Sequence, residues 1–278
     1  MKNLVLLLIL FGILANHGLA QETLSVTGNA YEGSALFLRV SGSESSEPPT
    51  VSMDDVNYSF SPSSDGVWET LLPLSTDSRG RQIFTVTASD KTWKRAVTVK
   101  ARNYGHQSIS LSPTTLAGYD NPRNKADDQA ILTALENDRT SRLFQGVFRL
   151  PVKAPKTTDF GLRRTYNGWR KGWHKGIDLA GWEGEGVVAP EDGKVIHTAS
   201  GIVNGNTIVL SHGSGAATVY FHLNAIQVRK GQIVKAGQTI GTVGGTGGFS
   251  PHLHWETRVH GVPVNPKVFF SLPRSWRN

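Results

Sequence analysis

Short runs of alternating apolar and polar residues, separated by clusters of glycine, serine, proline and aspartate, recur through most of this chain of 278 residues. Successive side chains of a strand point to opposite faces of a sheet, so such runs predict half-buried β-strands joined by tight turns. The 30 glycines and 13 prolines are typical of a turn-rich β protein. We therefore predict a mainly β fold, in a chain long enough for two domains.

The pattern in the first part of the chain runs from Leu24 to Val99, in segments such as ALFLRVSG and QIFTVTASD. It predicts an antiparallel, immunoglobulin-like β-sandwich over residues 21–105. This region has no histidine and few clustered carboxylates. We expect it to be an accessory domain without chemistry of its own.

The residue pattern changes twice in the remainder of the chain. Residues 106–155 are predicted to be a linker with one short connecting helix, because Ile131 and Leu135 recur at helical spacing. Residues 156–270 return to a glycine-rich β pattern and predict a second domain built on a twisted antiparallel sheet. Residues 271–278 would be a tail.

Residues 1–20 have the pattern of a cleaved export signal. Lys2 precedes an apolar run from Leu4 to Leu14, and the small residues Gly18 and Ala20 follow at the positions that a signal peptidase reads. A membrane anchor is the alternative, but the apolar run is short for a bilayer. We expect a mature chain without a transmembrane segment, exported to the periplasm or to an extracellular, wall-associated location.

The chain contains no cysteine, which excludes disulfides, thiol catalysis and cysteine-based zinc sites. Any metal must therefore be held by histidine, aspartate or glutamate. The net charge of +7 favours anionic partners such as cell-envelope polymers. Nucleic acid is not expected as a partner, because no basic helix or aromatic RNA-binding pattern is present.

Most of the nine histidines fall in the second domain. His252 and His254 are two residues apart in a predicted strand, so their rings share one face. His174 and Asp178 are four residues apart, and a bend at Gly176 would bring their side chains to one point. Two histidines and a carboxylate, with a fourth position open to water, make up the composition of a catalytic zinc site.

Five segments of the second domain carry a family resemblance: HKGIDLA, GVVAPEDGKV, VYFHL, KGQIVKAGQTIGTVGGTG and PHLHWE. In this order, over residues 158–268, they resemble the lysostaphin/LytM-type zinc endopeptidases of bacterial cell walls. The resemblance implies a peptidase domain whose substrates are peptidoglycan peptides.

Carried over position by position, the resemblance implies that His174, Asp178 and His254 hold one zinc ion per chain. His222 and His252 would stay off the metal and act in catalysis, and which of them is the general base stays open. All five positions hold the residue that an active member of the family has. The expected activity is zinc-dependent endopeptidase cleavage of peptidoglycan cross-links or stem peptides.

Two functions other than a zinc peptidase are also compatible with parts of the sequence. A non-catalytic wall-binding or amidase-activating protein of the same fold is the first, and the complete set of ligands argues against it. A biotinyl or lipoyl carrier domain is the second, because VVAPEDGKV resembles a carrier half-repeat. Lys194, however, follows DG inside a strand pattern and not at an exposed hairpin tip.

Other polar and aromatic residues near the first ligand are candidates for the walls of a substrate groove. The tryptophans would line a groove or pack in the core. These candidates are Arg163, Arg164, Tyr166, Asn167, Trp169, Trp173, Trp182 and Trp255. His212 is expected in a hairpin turn outside the site.

Overall fold

The computed structural model describes residues 21–276. The predicted export signal, residues 1–20, lies outside the described residues. Within the described part, neither helix has the length and apolar character needed to span a bilayer.

The described chain is built mainly from β-strands, as predicted. The first nine strands are β1 (Thr23–Thr27), β2 (Ser34–Ser41), β3 (Thr50–Met53), β4 (Val56–Ser59), β5 (Ser61–Ser64), β6 (Val67–Leu74), β7 (Gly80–Ala88), β8 (Lys91–Val99) and β9 (His106–Ile109). Two helices follow, α1 (Pro113–Asp120) and α2 (Pro122–Glu136). The later strands are β10 (Lys156–Thr158), β11 (Arg163–Tyr166), β12 (Arg170–Trp173), β13 (Ile177–Leu179), β14 (Gly186–Val188), β15 (Gly193–Gly201), β16 (Gly205–Gly213), β17 (Ala216–Leu223), β18 (Ala225–Ile226), β19 (Ile233–Val234), β20 (Thr239–Thr242), β21 (Leu253–Val259) and β22 (Val262–Val264). Short 3₁₀ helices lie at Pro266–Val268 and Arg274–Trp276.

The N-terminal strands form two four-stranded antiparallel sheets, with strand orders β1-β2-β6-β5 and β4-β3-β7-β8. Alternate residues of β2, β6, β3 and β7 point inward and form one apolar core, in which Leu38, Leu72 and Val86 are fully buried. The alternation predicted from the sequence thus places the two sheets face to face.

The other face of β2 and β6 is also apolar. Phe37 and Leu71 lie in a second buried cluster with Phe144, Phe269 and Trp276, which belong to the later part of the chain. The two halves therefore share a hydrophobic interface and are not connected only by a linker.

The segment between the halves holds two helices where the sequence predicted one. The break falls at Asn121, whose φ of −68° and ψ of 130° are extended. Proline at position 122 disfavours a helical conformation in the residue before it and has no N–H to continue α1. The same proline is well placed as the first residue of α2, and the Asn121 side chain caps that helix at the Arg123 N–H, at 2.9 Å.

The C-terminal half contains an eight-stranded antiparallel sheet in the order β10-β13-β21-β17-β16-β15-β19, with β22 added to β21. Two three-stranded sheets flank it, β12-β11-β9 and β14-β20-β18. In the first of these, β9 from the linker pairs in parallel with β11. The mainly β fold class with several antiparallel sheets is confirmed.

Candidate metal centre

Two neighbouring strands carry two of the predicted ligands. Asp178 in β13 and His254 in β21 lie directly opposite each other in an antiparallel pair. The strands come so close at Gly176 that an added Cβ would lie 2.2 Å from the carbonyl oxygen of Trp255. Glycine is therefore required between His174 and Asp178, because no side chain fits between the two backbones.

His174 completes the group from the bend between β12 and β13, and it is buried. Its Nε2 atom lies 3.0 Å from Asp178 Oδ1 and 2.9 Å from His254 Nδ1. His254 Nδ1 lies 2.8 Å from the same aspartate oxygen. The structure therefore brings one donor atom from each of the three residues to a single point.

The second ring nitrogen of each histidine is held by an acceptor. His174 Nδ1 donates to the carbonyl oxygen of Asp159 at 2.7 Å, so its hydrogen is on Nδ1 and the Nε2 lone pair is free. His254 Nε2 lies 3.2 Å from Glu256 Oε1, which leaves Nδ1 to face the centre. Glu256 is itself held by Arg258, whose Nε donates to Oε2 at 2.7 Å. Such outer partners orient metal ligands.

Asp178 is oriented in the same way. Its Oδ2 accepts a hydrogen bond from the Arg164 guanidinium at 3.2 Å, so Oδ1 is the oxygen directed at the two imidazoles. Arg164 Nε in turn donates to Gln107 Oε1 at 3.1 Å, and these two residues are opposite each other in the pairing of β11 with β9. The linker strand thus supports the metal centre through Arg164.

The electrostatics of the three residues favour a bound cation. Burial would raise the pKa of Asp178, but its hydrogen bonds with His174 and His254 outweigh burial and hold the pKa well below its usual range. Burial would lower the pKa of His254, yet hydrogen bonds to Asp178 and Glu256 raise it to about 9. Burial lowers the pKa of His174. A metal would therefore take the place of the proton on His254.

His222 and His252 lie beside this centre, on the same side of the sheet. His222 Nδ1 donates to the carbonyl oxygen of Thr246 at 3.0 Å, and His252 Nδ1 donates to that of Ser250 at 2.7 Å. Each Nε2 therefore carries the lone pair; His252 Nε2 lies 3.8 Å from Asp178 Oδ1, and the two ring centroids are 5.0 Å apart. Burial, with the nearby imidazoles of His254 and His252, lowers the pKa of His222 to about 3, so this ring is neutral near pH 7.

The donor set fits zinc. It offers two imidazole nitrogens and one carboxylate oxygen, without cysteine, which is a ligand combination of catalytic zinc sites. Ligands at zinc distances around a tetrahedron lie about 3.3 Å apart. The separations here, 2.8 to 3.0 Å, are close to that value before any ion is present.

One cavity of about 700 Å³ is lined by all five predicted site residues, namely the three ligands His174, Asp178 and His254 and the two histidines His222 and His252. Arg164 and Tyr166 also line it, whereas Arg163 is exposed and pairs with Asp77. Of the predicted groove residues, Asn167 instead holds the linker through hydrogen bonds with Leu111, at 2.7 and 3.1 Å.

The tryptophans divide between surface and core. Trp169 and Trp182 are 61% and 81% exposed, whereas Trp255 is fully buried and Trp173 lines the cavity. His212 lies outside the cavity, but it is buried within β16 and not in a turn as predicted. The sequence around it had suggested a turn because GSG follows at once, and the turn begins only after Gly213.

Sequence reasoning did not identify Glu256, Arg258 or Gln107 as members of the site. Strand alternation could have found the first two, because they continue the face of His252 and His254 in steps of two residues. Gln107 lacked any local signal, because its position depends on a parallel pairing between distant segments.

Known proteins are similar to the part of the chain that contains this site. Residues 172–266 match the model of Peptidase family M23. The murein hydrolase activator NlpD of Salmonella dublin is 42% identical over 100 residues, which are 36% of this chain and 26% of that protein. The DD-carboxypeptidase/endopeptidase Mpg of Neisseria meningitidis is 42% identical over 106 residues, 38% of this chain and 24% of the relative. The match thus spans about a quarter of these relatives.

The fold is shared over a longer range. A solved structure described as a peptidase M23 from Pseudomonas aeruginosa covers 87% of this chain and 95% of its own, with a TM-score of 0.65 and 22% identity. At that identity the likeness concerns the fold alone. The family match and the ligand-bearing strands coincide in the C-terminal half. Residues 172–266 of this chain are therefore similar to peptidase family M23, and they include all three predicted metal ligands.

Proposed function

We propose that this chain is an exported zinc-dependent peptidase that hydrolyses peptide bonds of peptidoglycan. The observation that carries the proposal is the convergence of His174 Nε2, Asp178 Oδ1 and His254 Nδ1 on one point of a cavity. The same cavity holds two further imidazoles with a free Nε2, which are the groups that proton transfer requires. The names of the matched relatives supply the substrate class.

The residues divide into two roles. His174, Asp178 and His254 would hold the zinc ion, which supplies a Lewis acid and activates water when bound. His222 and His252 are not part of this group of donor atoms, although His252 Nε2 lies 3.8 Å from Asp178 Oδ1, and a backbone carbonyl engages each Nδ1–H. One of them would accept the proton of the attacking water, and the other would protonate the leaving amine or stabilise the developing oxyanion.

A non-catalytic activator is the second candidate, because one matched relative is named a murein hydrolase activator. The complete donor set, the oriented outer partners and the two additional histidines favour the enzyme. An activator would need none of these groups to be kept in a geometry suited to proton transfer.

The first prediction tests the enzyme directly. Protein comprising residues 21–278, loaded with zinc, should release fragments from purified cell-wall peptides, which mass spectrometry would identify. A chelator should abolish the release and added zinc should restore it. Failure to bind zinc at micromolar concentration would contradict the proposal, and stimulation of an amidase without hydrolysis would support the activator.

Two variants separate the roles. His254→Ala should lose zinc, because one of three ligands is missing. His222→Ala should retain one zinc per chain while kcat falls by about 100-fold or more. Zinc content by elemental analysis, measured beside kcat, checks both. Loss of zinc from His222→Ala would show that this histidine is a ligand.

A further inference from the structure

Helices α1 and α2, residues 113–136, are called the helical strap here because they join the two walls of the cavity. The first wall is the β11–β12 hairpin. Its Arg170 donates a hydrogen bond to Asp120 Oδ1, at the end of α1, at 2.6 Å. The Tyr119 ring lies 5.6 Å from the Tyr166 ring, and the Arg170 guanidinium lies over Tyr119 at 5.2 Å. The strap is thus fastened to the side of the cavity that supplies Arg164.

The opposite wall consists of the turn between β15 and β16 and the loop before β21. Thr115 Oγ1 donates to the Gly248 carbonyl at 3.2 Å. Asp127 Oδ2 accepts from the Ile202 N–H at 3.2 Å. These segments support the two proposed catalytic histidines. The Asn204 carbonyl oxygen of the turn accepts the His222 N–H at 3.0 Å, and His252 follows the loop.

The strap is fixed and not loosely docked. Ile131 and Leu135 of α2 are buried in an apolar cluster with Val209, Val219 and Phe221 of the large sheet. Because these side chains would have to leave the apolar cluster, the strap would not swing away as a mobile lid.

Between the two walls, the strap lines the same cavity as the metal centre through Tyr119, Asn124, Lys125 and Asp128. An element that joins both walls of a groove and faces its interior is either an end wall or a roof. In both arrangements, a chain that is attached to a polymer at both ends cannot be laid into the groove from the side. A peptide with a free terminus can enter.

We propose that the strap restricts this site to peptides with a free terminus, such as uncross-linked stem peptides. Peptide cross-links, whose two ends are both attached to glycan strands, would be excluded. This inference rests on the proposed peptidase function. It assigns the selection to residues 113–136, which lie outside residues 172–266 of the family match.

A disulfide that locks the strap tests the inference, and the chain contains no other cysteine to interfere. A Cβ at Gly248 would lie 3.7 Å from Thr115 Cβ, within the range of disulfides. In the double variant T115C/G248C, the oxidised and reduced forms of one preparation are compared, so the strain at position 248 is present in both. Free-ended stem peptides should be cleaved at rates within about two-fold in the two forms.

The inference is tested by comparing cleavage of free-ended stem peptides with cleavage of cross-links. Zinc-loaded wild-type protein should cleave soluble stem peptides and leave the cross-links of intact sacculi uncut. If oxidation reduces cleavage of the free-ended peptides by about tenfold or more, the strap must open and the inference is wrong. If wild-type protein cuts cross-links as fast as free peptides, only this inference fails. If it cuts neither, the proposed function fails as well.

A second variant covers the case in which the cysteine pair does not fold. Replacing Ile131 and Leu135 by alanine removes the apolar contacts that hold α2 to the large sheet, without changing a cavity residue. Cleavage of cross-links should then appear or rise by about fivefold or more, because the strap no longer closes the groove firmly. Gln129→Ala, on an exposed position of α2, is the matched control. An unchanged cross-link rate in a folded variant would overturn the inference.

Discussion

At the scale of single residues, the metal centre depends on which ring nitrogen of each histidine carries hydrogen. His174, His222 and His252 each donate Nδ1–H to a backbone carbonyl oxygen, and such an oxygen can only accept. Each ring therefore presents Nε2 with its lone pair. His254 differs, because its partner is the Glu256 carboxylate and it presents Nδ1 instead.

This difference predicts a specific role for Glu256. In Glu256→Gln, the amide turns its NH₂ away from Arg258 and toward His254, so the tautomer that frees Nδ1 is no longer favoured. Zinc affinity should fall by about 10- to 100-fold, measured by competition with a chromophoric chelator. The exposed Glu183→Gln is the control. An affinity equal to that of wild type would show that Glu256 does not orient His254.

At the scale of elements, β21 combines the site with the core. His254 and Glu256 face the metal centre, whereas Leu253 and Trp255 alternate with them and are fully buried in the core of the C-terminal half. The neighbouring β13 is three residues long, and all three are buried. The packing of these two strands therefore determines how precisely the predicted ligands are positioned.

The contact between these strands predicts the effect of Gly176→Ala. The methyl group would meet the Trp255 carbonyl oxygen at 2.2 Å and force β13 away from β21. We expect a loss of about 1–3 kcal/mol in the free energy of unfolding, measured with urea, together with weakened zinc binding. Gly186→Ala is the matched control, since its methyl group would meet Thr239 at an ordinary 3.8 Å. Equal stability of both variants would contradict the close approach.

At the scale of the whole molecule, the two halves are joined by charge as well as by apolar contact. Glu69 of β6 is fully buried, with its Oε2 3.0 Å from Arg142 Nε and its Oε1 3.5 Å from Arg39 Nε. Arg142 lies outside the sandwich and donates to the carbonyl oxygen of Trp276 at 3.0 Å. The interface thus contains a buried carboxylate whose two cationic partners come from both halves.

Removing this carboxylate should therefore destabilise the entire chain. Glu69→Gln leaves the Arg142 guanidinium, whose side chain is only 10% exposed, without its countercharge. Removing one partner of a buried pair costs about 3–5 kcal/mol. Urea unfolding followed by circular dichroism measures the loss, with the exposed Glu44→Gln as the control. A change below about 1 kcal/mol would show that the pair is solvated and that the halves are held by apolar contact alone.

Many residues of the candidate site could be predicted from local sequence patterns. Alternation predicted the shared face of His252 and His254, and the glycine between His174 and Asp178 predicted the bend that joins them. The family resemblance supplied the proposed roles. Arg164 was assigned to a groove wall, but its hydrogen bond to Asp178 could not be predicted, because that contact depends on how two separate sheets approach each other.

The β character of the chain, the inward faces of several strands and the residues able to bind a metal could be predicted from residue type and from spacing within one segment. Three features depend on the folded chain as a whole: β9 pairs with β11, the helices join both walls of the cavity, and the sandwich shares a core with the C-terminal half. These features arise from contacts between residues far apart in the chain. Local periodicity cannot predict such contacts, because they stabilise the chain only after distant segments have come together.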